Sequence, residues 1–373
     1  MNTKAIVDKA GRFYKAQDRF IGTHLALRWN GRLRFIVPRE AAALKVCFNT
    51  FHPGWKELPL RAMAHLQRIM GAKSCVEDTR LKSIRDVIGN DAGLSCCRAG
   101  TPGPWSKDSI LFLDKKAVMP FCIVKAGTGE AVDVLLQNEA DWLRILRGQE
   151  SIARHIPQLV AHRSGKDFSF VAQSVLKGKV EYRLEEMHFT FLRKFQEYSR
   201  RTVRFEESIL YKNLRTRLTN MRGLLSKAWS TRIEIGVQRI EQSLSGAPIL
   251  FAAAHNDFAP WNIRAQHGVA CIYDWEYADH EQLPLFDPLH FSLMPLALKR
   301  KPLVTILSKM RQSLLLCQQH LGKESCYKAQ TQVFAYLINL CTLYLWIDRE
   351  KSVPQPVLES YAQIIDYMMT HEL

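Results

Sequence analysis

The sequence predicts an α+β protein in which a small β-rich lobe is followed by a larger helical lobe, with a basic α/β extension in front. Three observations carry this reading. Apolar runs broken by turn residues concentrate between residues 94 and 176, and patterns of helical period dominate from 177 onward. The first 98 residues hold 18 Lys+Arg against 8 Asp+Glu, +10 of the chain's formal +16. The expected division is therefore 1–93, 94–176 and 177–373.

In the extension, Leu25 to Val37 reads as a hairpin, because Asn30-Gly31 supplies the positive φ angles of a two-residue turn. A helix is expected from Leu58 to Met70, where Leu60, Met63, Leu66 and Met70 form an apolar stripe. In the β-rich lobe, Ser109–Leu113 and Val118–Val124 flank the polar turn Asp114-Lys115-Lys116, a second hairpin. A helix over Val132–Arg147 follows, with Leu135, Leu136, Glu139, Trp142, Leu143 and Leu146 on one side. Phe168–Leu176 is one more strand, ended by Lys177-Gly178. Beyond it the expected helices are Glu185–Tyr198, Ser208–Lys227 and Thr231–Leu244, then stretches after Leu293, Tyr327 and Pro356, interrupted by a β patch at Ile249–Tyr273. There is no internal repeat.

Composition narrows the class. The 47% hydrophobic and 24% charged residues are ordinary for a globular chain and exclude disorder or low complexity. Nine scattered cysteines, odd in number and never spaced C-x-x-C, argue for reduced thiols and a cytoplasmic protein. The N-terminus meets Lys4 before an apolar signal core can form. The longest apolar run, Val333–Ile347, is shorter than the about 20 residues a spanning helix needs and is expected to be a buried helix. The basic excess suits nucleic acid, a phosphate-bearing substrate or a membrane surface, and composition does not choose among them. No RNP-like aromatic motif, zinc finger or basic coiled coil is present, so specific nucleic-acid binding is not expected. Peripheral membrane contact remains open, and nothing sets an oligomeric state.

The most informative stretch is His255-Asn256-Asp257-Phe258-Ala259-Pro260-Trp261-Asn262, followed after an apolar run by Tyr273-Asp274-Trp275-Glu276. Phosphoryl transfer needs an acid to orient or deprotonate the attacking hydroxyl, and hard oxygen ligands to hold Mg2+ against nucleotide phosphates. Asp257 suits the first task; Asn262 and Asp274 suit the second. Singly, such residues build turns and helix caps. Their order and spacing make the functional reading the better one.

This pattern resembles the aminoglycoside phosphotransferase and choline kinase family, distant relatives of protein kinases. The resemblance spans about residues 94–320 and implies a bilobal protein-kinase-like fold, with ATP and Mg2+ as cofactors. It implies Asp257 as catalytic base, Asn262 and Asp274 as metal ligands, and His255 as support for the loop backbone. Asp287, in Leu285-Phe286-Asp287-Pro288-Leu289, is implied as a buried brace for the same loop. Given that frame, Lys125 at the end of Ile123-Val124-Lys125 would reach the α and β phosphates, paired with Glu139 on the next helix. The bland alternatives are a solvated strand-end lysine and an exposed helix residue.

The stretch Gly100-Thr101-Pro102-Gly103-Pro104-Trp105-Ser106-Lys107 stands where such kinases carry a glycine-rich loop. Gly100 and Gly103 would let backbone approach phosphate and Ser106 or Thr101 would donate a hydrogen bond, although a plain turn explains the stretch equally. Phe170–Leu176 is the expected hinge, making Gln173, Ser174 and Val175 positional candidates for adenine binding. Asp-Trp-Glu stands where protein kinases have Asp-Phe-Gly, which favours the small-molecule branch. Glu276 is a candidate for a second metal contact or a structural salt bridge.

The acceptor is expected to be a hydroxyl of a sugar, saccharide or amino alcohol. The extension is loosely similar to segments preceding such kinases in surface-polysaccharide contexts. Residues 181–245 hold 13 Lys+Arg and 8 Asp+Glu, which disfavours a polycationic antibiotic and favours an anionic or glycan acceptor. That inference fails if Arg200, Arg201, Arg204, Arg215 and Arg217 are merely solvated. A second reading is a catalytically silent kinase-like module whose basic extension docks a membrane, RNA or a protein. Retention of Lys125, Glu139, Asp257, Asn262 and Asp274 together disfavours it.

Overall fold

The computed structural model describes residues 13–17, 23–30, 32–51, 57–69, 74–89, 91–100, 103, 105–116, 118–347 and 356–371. The chain divides into two compact units, Met1–Lys179 and Val180–Leu373.

The first unit runs β1 (Tyr14–Gln17), β2 (His24–Trp29), β3 (Arg32–Pro38), α1 (Ala41–Phe51), α2 (Glu57–Ile69), β4 (Ser74–Glu77), α3 (Thr79–Ile88) and β5 (Ala92–Arg98). It continues with β6 (Lys107–Asp114), β7 (Pro120–Gly127), α4 (Glu130–Arg147), α5 (Glu150–Ala153), β8 (Leu159–Arg163) and β9 (Ser169–Ser174). All nine strands form one sheet in the order β1-β4-β2-β3-β5-β6-β7-β9-β8. Strands before and after residue 93 thus share hydrogen bonds: Phe35 pairs with Arg98 and Ile36 with Cys97. They also share a core, since Phe13, Ile36 and Leu81 cluster with Ile110, Phe112 and Val124. On the other face Leu27, Phe35 and Val37 join Cys47 and Phe48 of α1.

Local chemistry explains the boundaries. Asn30 takes the left-handed φ of 49° at the β2–β3 turn, as its short polar side chain allows; its partner Gly31 lies outside the described residues, as do Met70, Thr101, Pro102, Pro104 and the segment before Phe13. Asp78 caps α3 by accepting the Arg80 amide at 3.0 Å. In α4, Val132, Leu136, Glu139, Ala140 and Leu143 fall on one buried face. Burying each such leucine contributes about 2 kcal/mol.

The second unit contains α6 (Glu186–Ser199), β10 (Arg201–Arg204), α7 (Ile209–Met221), α8 (Lys227–Leu244) and β11 (Pro248–Ala254). Then come β12 (Ile263–Gln266), β13 (Val269–Ile272), β14 (Asp279–Gln282), α9 (Phe286–Leu298), α10 (Leu303–Ser325), α11 (Ala329–Ile347) and α12 (Pro356–Thr370). β10, β11 and β14 form a small sheet, and β12 and β13 a two-stranded ribbon. The expected helix Ser208–Lys227 ends early, at Met221: Gly223 turns the chain at φ 78°, and the hydroxyl of Ser226, accepting the Trp229 amide, caps the next helix, which begins at Lys227 and not at Thr231. The apolar run Val333–Ile347 belongs to α11, whose Val333, Leu337, Ile338 and Cys341 are buried. Among the described residues no helix is long and apolar enough to cross a membrane. All nine cysteines are free thiols.

Candidate active site

In the second unit the apolar strand β11 delivers the chain to His255, and the loop that follows is pinned by its side chains. Phe258 is fully buried, 5.9 Å from the ring of Phe191 and 6.0 Å from Phe291. His255 sits edge-on to Trp275 at 4.7 Å; its Nε2 donates to the Tyr273 carbonyl at 3.1 Å, and its Nδ1 accepts the Asp257 amide at 3.3 Å. That pattern specifies the neutral Nε2–H tautomer. Burial lowers its pKa to about 4, so it stays neutral near pH 7.

Asp287, in the first turn of α9, holds the loop from below. Its Oδ2 accepts the His255 amide at 2.8 Å and its Oδ1 the Asn256 amide at 3.0 Å. Burial raises its pKa to about 6 against the opposing pull of those two amides. Asn256 turns the chain with a left-handed φ of 61°, and its side-chain amide donates to the Tyr277 carbonyl at 2.9 Å. Asp287 therefore stands where the sequence places a brace.

The carboxylate of Asp257 is held at both oxygens. Asn262 Nδ2 donates to Oδ2 at 2.7 Å and to the Asp257 carbonyl at 3.0 Å, while His290 Nε2 lies 3.1 Å from Oδ1. The Asp257 side chain is 27% exposed, so solvent reaches the carboxylate. With its amino group committed, Asn262 has its carbonyl oxygen as the atom suited to a hard cation. The β12–β13 register pairs Ile263 with Ile272, and the Tyr273 amide donates to the backbone carbonyl of Asn262 at 3.1 Å. Asn262 and Asp274 therefore flank the same end of the ribbon. Asp274 has a left-handed φ of 75°, followed by a short turn in which buried Trp275 donates to the Ile272 carbonyl at 3.1 Å. Two oxygen donors on a fixed ribbon suit Mg2+. Glu276 is also buried.

In the first unit Lys125 lies on β7 and Glu139 on the inner face of α4. Lys125 Nζ donates to both carboxylate oxygens, at 2.7 and 2.8 Å, and both residues are buried. The pair is neither solvated nor exposed. Gln173 on β9 points its amide at Glu139 Oε1, 3.5 Å away, so its side chain faces the ion pair. Ser174 Oγ accepts the Gln158 amide at 2.9 Å, and Val175, one residue past β9, packs against the core that includes Leu111 and Leu113. Backbone groups are then what this stretch has to offer a base.

The β5–β6 loop has its own logic. The Gly100 amide donates to Asp108 Oδ1 at 3.0 Å, and a Cβ on Gly100 would lie 2.0 Å from the Lys107 carbonyl oxygen. Glycine is required there by the neighbouring strand. Among the described residues a Cβ on Gly103 would meet nothing within 4 Å, and the Ser106 amide donates to the Gly103 carbonyl at 3.1 Å. Thus the structure gathers His255, Asp257, Asn262, Asp274 and Asp287 in the second unit, and Lys125, Glu139 and Gln173 in the first.

Sequence reasoning passed over His290. The signal was present, because Asp287 and His290 are three apart on α9 and share a face. The insert's arginines are largely occupied. Arg200 pairs with Glu324, Arg201 with Glu281 and Arg215 with Glu241, and Arg217 donates to Asn339 Oδ1 at 2.8 Å.

Residues 103–287 match the family model described as "Phosphotransferase enzyme family". No curated protein matches the chain in sequence. Among solved structures, a thermostable mutant of aminoglycoside phosphotransferase APH(4)-Ia in its apo form superposes with a TM-score of 0.51 at 8% identity, over 74% of this chain and 95% of that one. A ternary complex of such a mutant with ADP and hygromycin B gives 0.51 at 9% identity, over 74% and 95%. The GDP complex of a mutant aminoglycoside 2'-phosphotransferase-IIIa gives 0.51 at 11%, over 78% and 95%. At such identities the likeness speaks to fold, and the fold is kinase-like.

Proposed function

The chain belongs, over residues 103–287, to the phosphotransferase enzyme family, and from that premise we propose that it moves the γ-phosphoryl group of ATP to a hydroxyl of a small molecule, with Mg2+. The observation that carries this is the loop on which Asp257 is fixed by Asn262, with Asp274 at the same end of the ribbon.

In this reading Asp257 orients the acceptor hydroxyl and takes its proton. The hydroxyl oxygen bonds to the γ-phosphorus, the bond to the β–γ bridging oxygen breaks, and ADP leaves with that electron pair. The Asn262 carbonyl and the Asp274 carboxylate would hold Mg2+, which when bound neutralises charge on the phosphates. Lys125, aimed by Glu139, faces the nucleotide phosphates, and His255 and Asp287 keep the loop in shape. Gly100, Gly103 and Ser106 would cover the phosphates, and the Gln173 to Val175 backbone would meet the base.

For the acceptor we favour a hydroxyl of a sugar, saccharide or amino alcohol; hygromycin B in a structural neighbour is one such polyol. The paired arginines lend no support to an anionic acceptor. Thermal melting tests the reading. Mg2+ with ATP should raise the melting temperature, ATP with chelator should do so less, and Asp274→Ala should abolish the difference. A melting temperature indifferent to nucleotide would favour the silent binding module.

A further inference from the structure

A buried chain of hydrogen bonds leads away from Asp257 into the C-terminal helices. His290 Nε2 lies 3.1 Å from Asp257 Oδ1, His290 Nδ1 lies 3.3 Å from the Tyr336 hydroxyl on α11, and that hydroxyl lies 2.9 Å from the Tyr361 hydroxyl on α12. His290 and Tyr336 are each 3% exposed, and Tyr361 is fully buried. Three side chains in series, from α9, α11 and α12, thus end on one carboxylate oxygen of the loop.

We propose that His290 is a positioning residue for Asp257, its Nε2–H held on the carboxylate by Tyr336 and Tyr361. This deepens the phosphotransferase reading and rests on Asp257 being the base. The chemistry runs in one direction. An ionised carboxylate only accepts, so Nε2 must carry the proton; Nδ1 of the neutral ring then accepts from Tyr336, whose oxygen accepts from Tyr361. Burial keeps both phenols well above their ordinary pKa, so each keeps the proton it donates. Among the described residues, Asp287 on α9 and His255 in the loop interact electrostatically with His290, while Tyr277, Tyr344 and Cys341 face Asp257 or the two phenols.

The function of such a chain is angular. A carboxylate rotates readily about its last torsion. One donor, Asn262, leaves that rotation soft; a second donor at the other oxygen fixes the plane. The carboxylate is then held in one plane while it stays 27% exposed, open to an approaching hydroxyl. A base misplaced by about 1 Å costs on the order of 100-fold in rate.

The test uses full-length protein, Mg·ATP as the probe and water as the phosphoryl acceptor, read as ADP release. His290→Ala should lower kcat about 10- to 100-fold while leaving KM for ATP within about two-fold. His290→Gln, whose amide can stand in for Nε2–H, should restore most of that loss, and Tyr336→Phe should cost about three-fold. Histidine-labelled protein gives a second readout by 15N NMR. The signal lost in His290→Gln should be that of an Nε2–H tautomer and should move in Asp257→Asn. Equal impairment of His290→Ala and His290→Gln, full turnover by a folded His290→Ala, or an Nδ1–H tautomer would overturn the proposal. Full turnover by Asp257→Asn would instead remove the base assignment on which it rests, even with the His290 tautomer as expected.

Discussion

Two buried carboxylates are kept in place by opposite means. Glu139 is neutralised by a cation, with Lys125 Nζ bridging both its oxygens at 2.7 and 2.8 Å. Asp287 faces two neutral backbone amides, at 2.8 and 3.0 Å, and burial raises its pKa to about 6. The difference teaches what each part demands. A strand and the helix that follows it are joined by a charge pair that fixes one long side chain. A loop that must keep a backbone shape is held at its N–H groups, where a carboxylate satisfies two donors at once.

The strongest expected effect follows from removing one half of the charge pair. Glu139→Gln removes the carboxylate that bridges the buried Lys125 and should cost about 3–5 kcal/mol in chemical denaturation. The double variant Lys125→Met with Glu139→Leu should recover much of that stability, since neither charge is then left alone. It should still bind Mg·ATP poorly in calorimetry.

Asp287→Asn is the matching change in the loop. An amide accepts at one atom only, so either the His255 or the Asn256 N–H loses its partner. A loss of about 2 kcal/mol is expected in the same denaturation assay. Retention of full stability would show that the loop keeps its shape without the brace.

A pH effect of similar size is expected at His188, whose ring packs beside the loop residue Phe258. Burial lowers the His188 pKa from 6.5 to about 4, with Nδ1 accepting the Glu185 amide at 3.0 Å. The unfolded chain then binds more protons between those values. This contribution to stability is complete above about pH 6.5 and is lost as pH falls toward 4. At pH 5 the loss is on the order of 2 kcal/mol. His188→Asn, whose carbonyl can accept the same amide, should flatten the melting temperature between pH 7 and 5. Histidine titration by NMR gives the value directly.

The smallest effects separate two glycines of the β5–β6 loop. Gly100→Ala must displace the Lys107 carbonyl and should cost about 1–3 kcal/mol. Gly103→Ala has open space and should change stability by less than about 0.5 kcal/mol. Equal losses would contradict the steric account.

Much of the site was legible because its residues are close in sequence. His255 to Asn262 and Asp274 form a local pattern with a chemical reason for each spacing, and the apolar strands Ser109–Leu113 and Val118–Val124 are marked by the polar turn between them. Even Lys125 and Glu139 lie within one strand–helix unit. The rest depended on long-range contacts. Nothing in Tyr336 or Tyr361 announces a hydrogen bond to His290, because helices α11 and α12 read only as apolar patterns. Gly100 reads as a residue for phosphate approach, and the close contact with the Lys107 carbonyl that also requires glycine there is invisible in the sequence. The arginines of the insert looked like an acceptor surface until Glu241, Glu281 and Glu324, some of them distant in sequence, were found beside them.

The central claim is that Asp257 serves phosphoryl transfer to a hydroxyl. ADP release from Mg·ATP, measured for the unmodified chain and for Asp257→Asn across a panel of sugars, saccharides and amino alcohols, tests it most directly. At least one compound should stimulate release by the unmodified chain, with stimulation falling by about 100-fold or more in the variant. Stimulation that survives in Asp257→Asn would contradict the account.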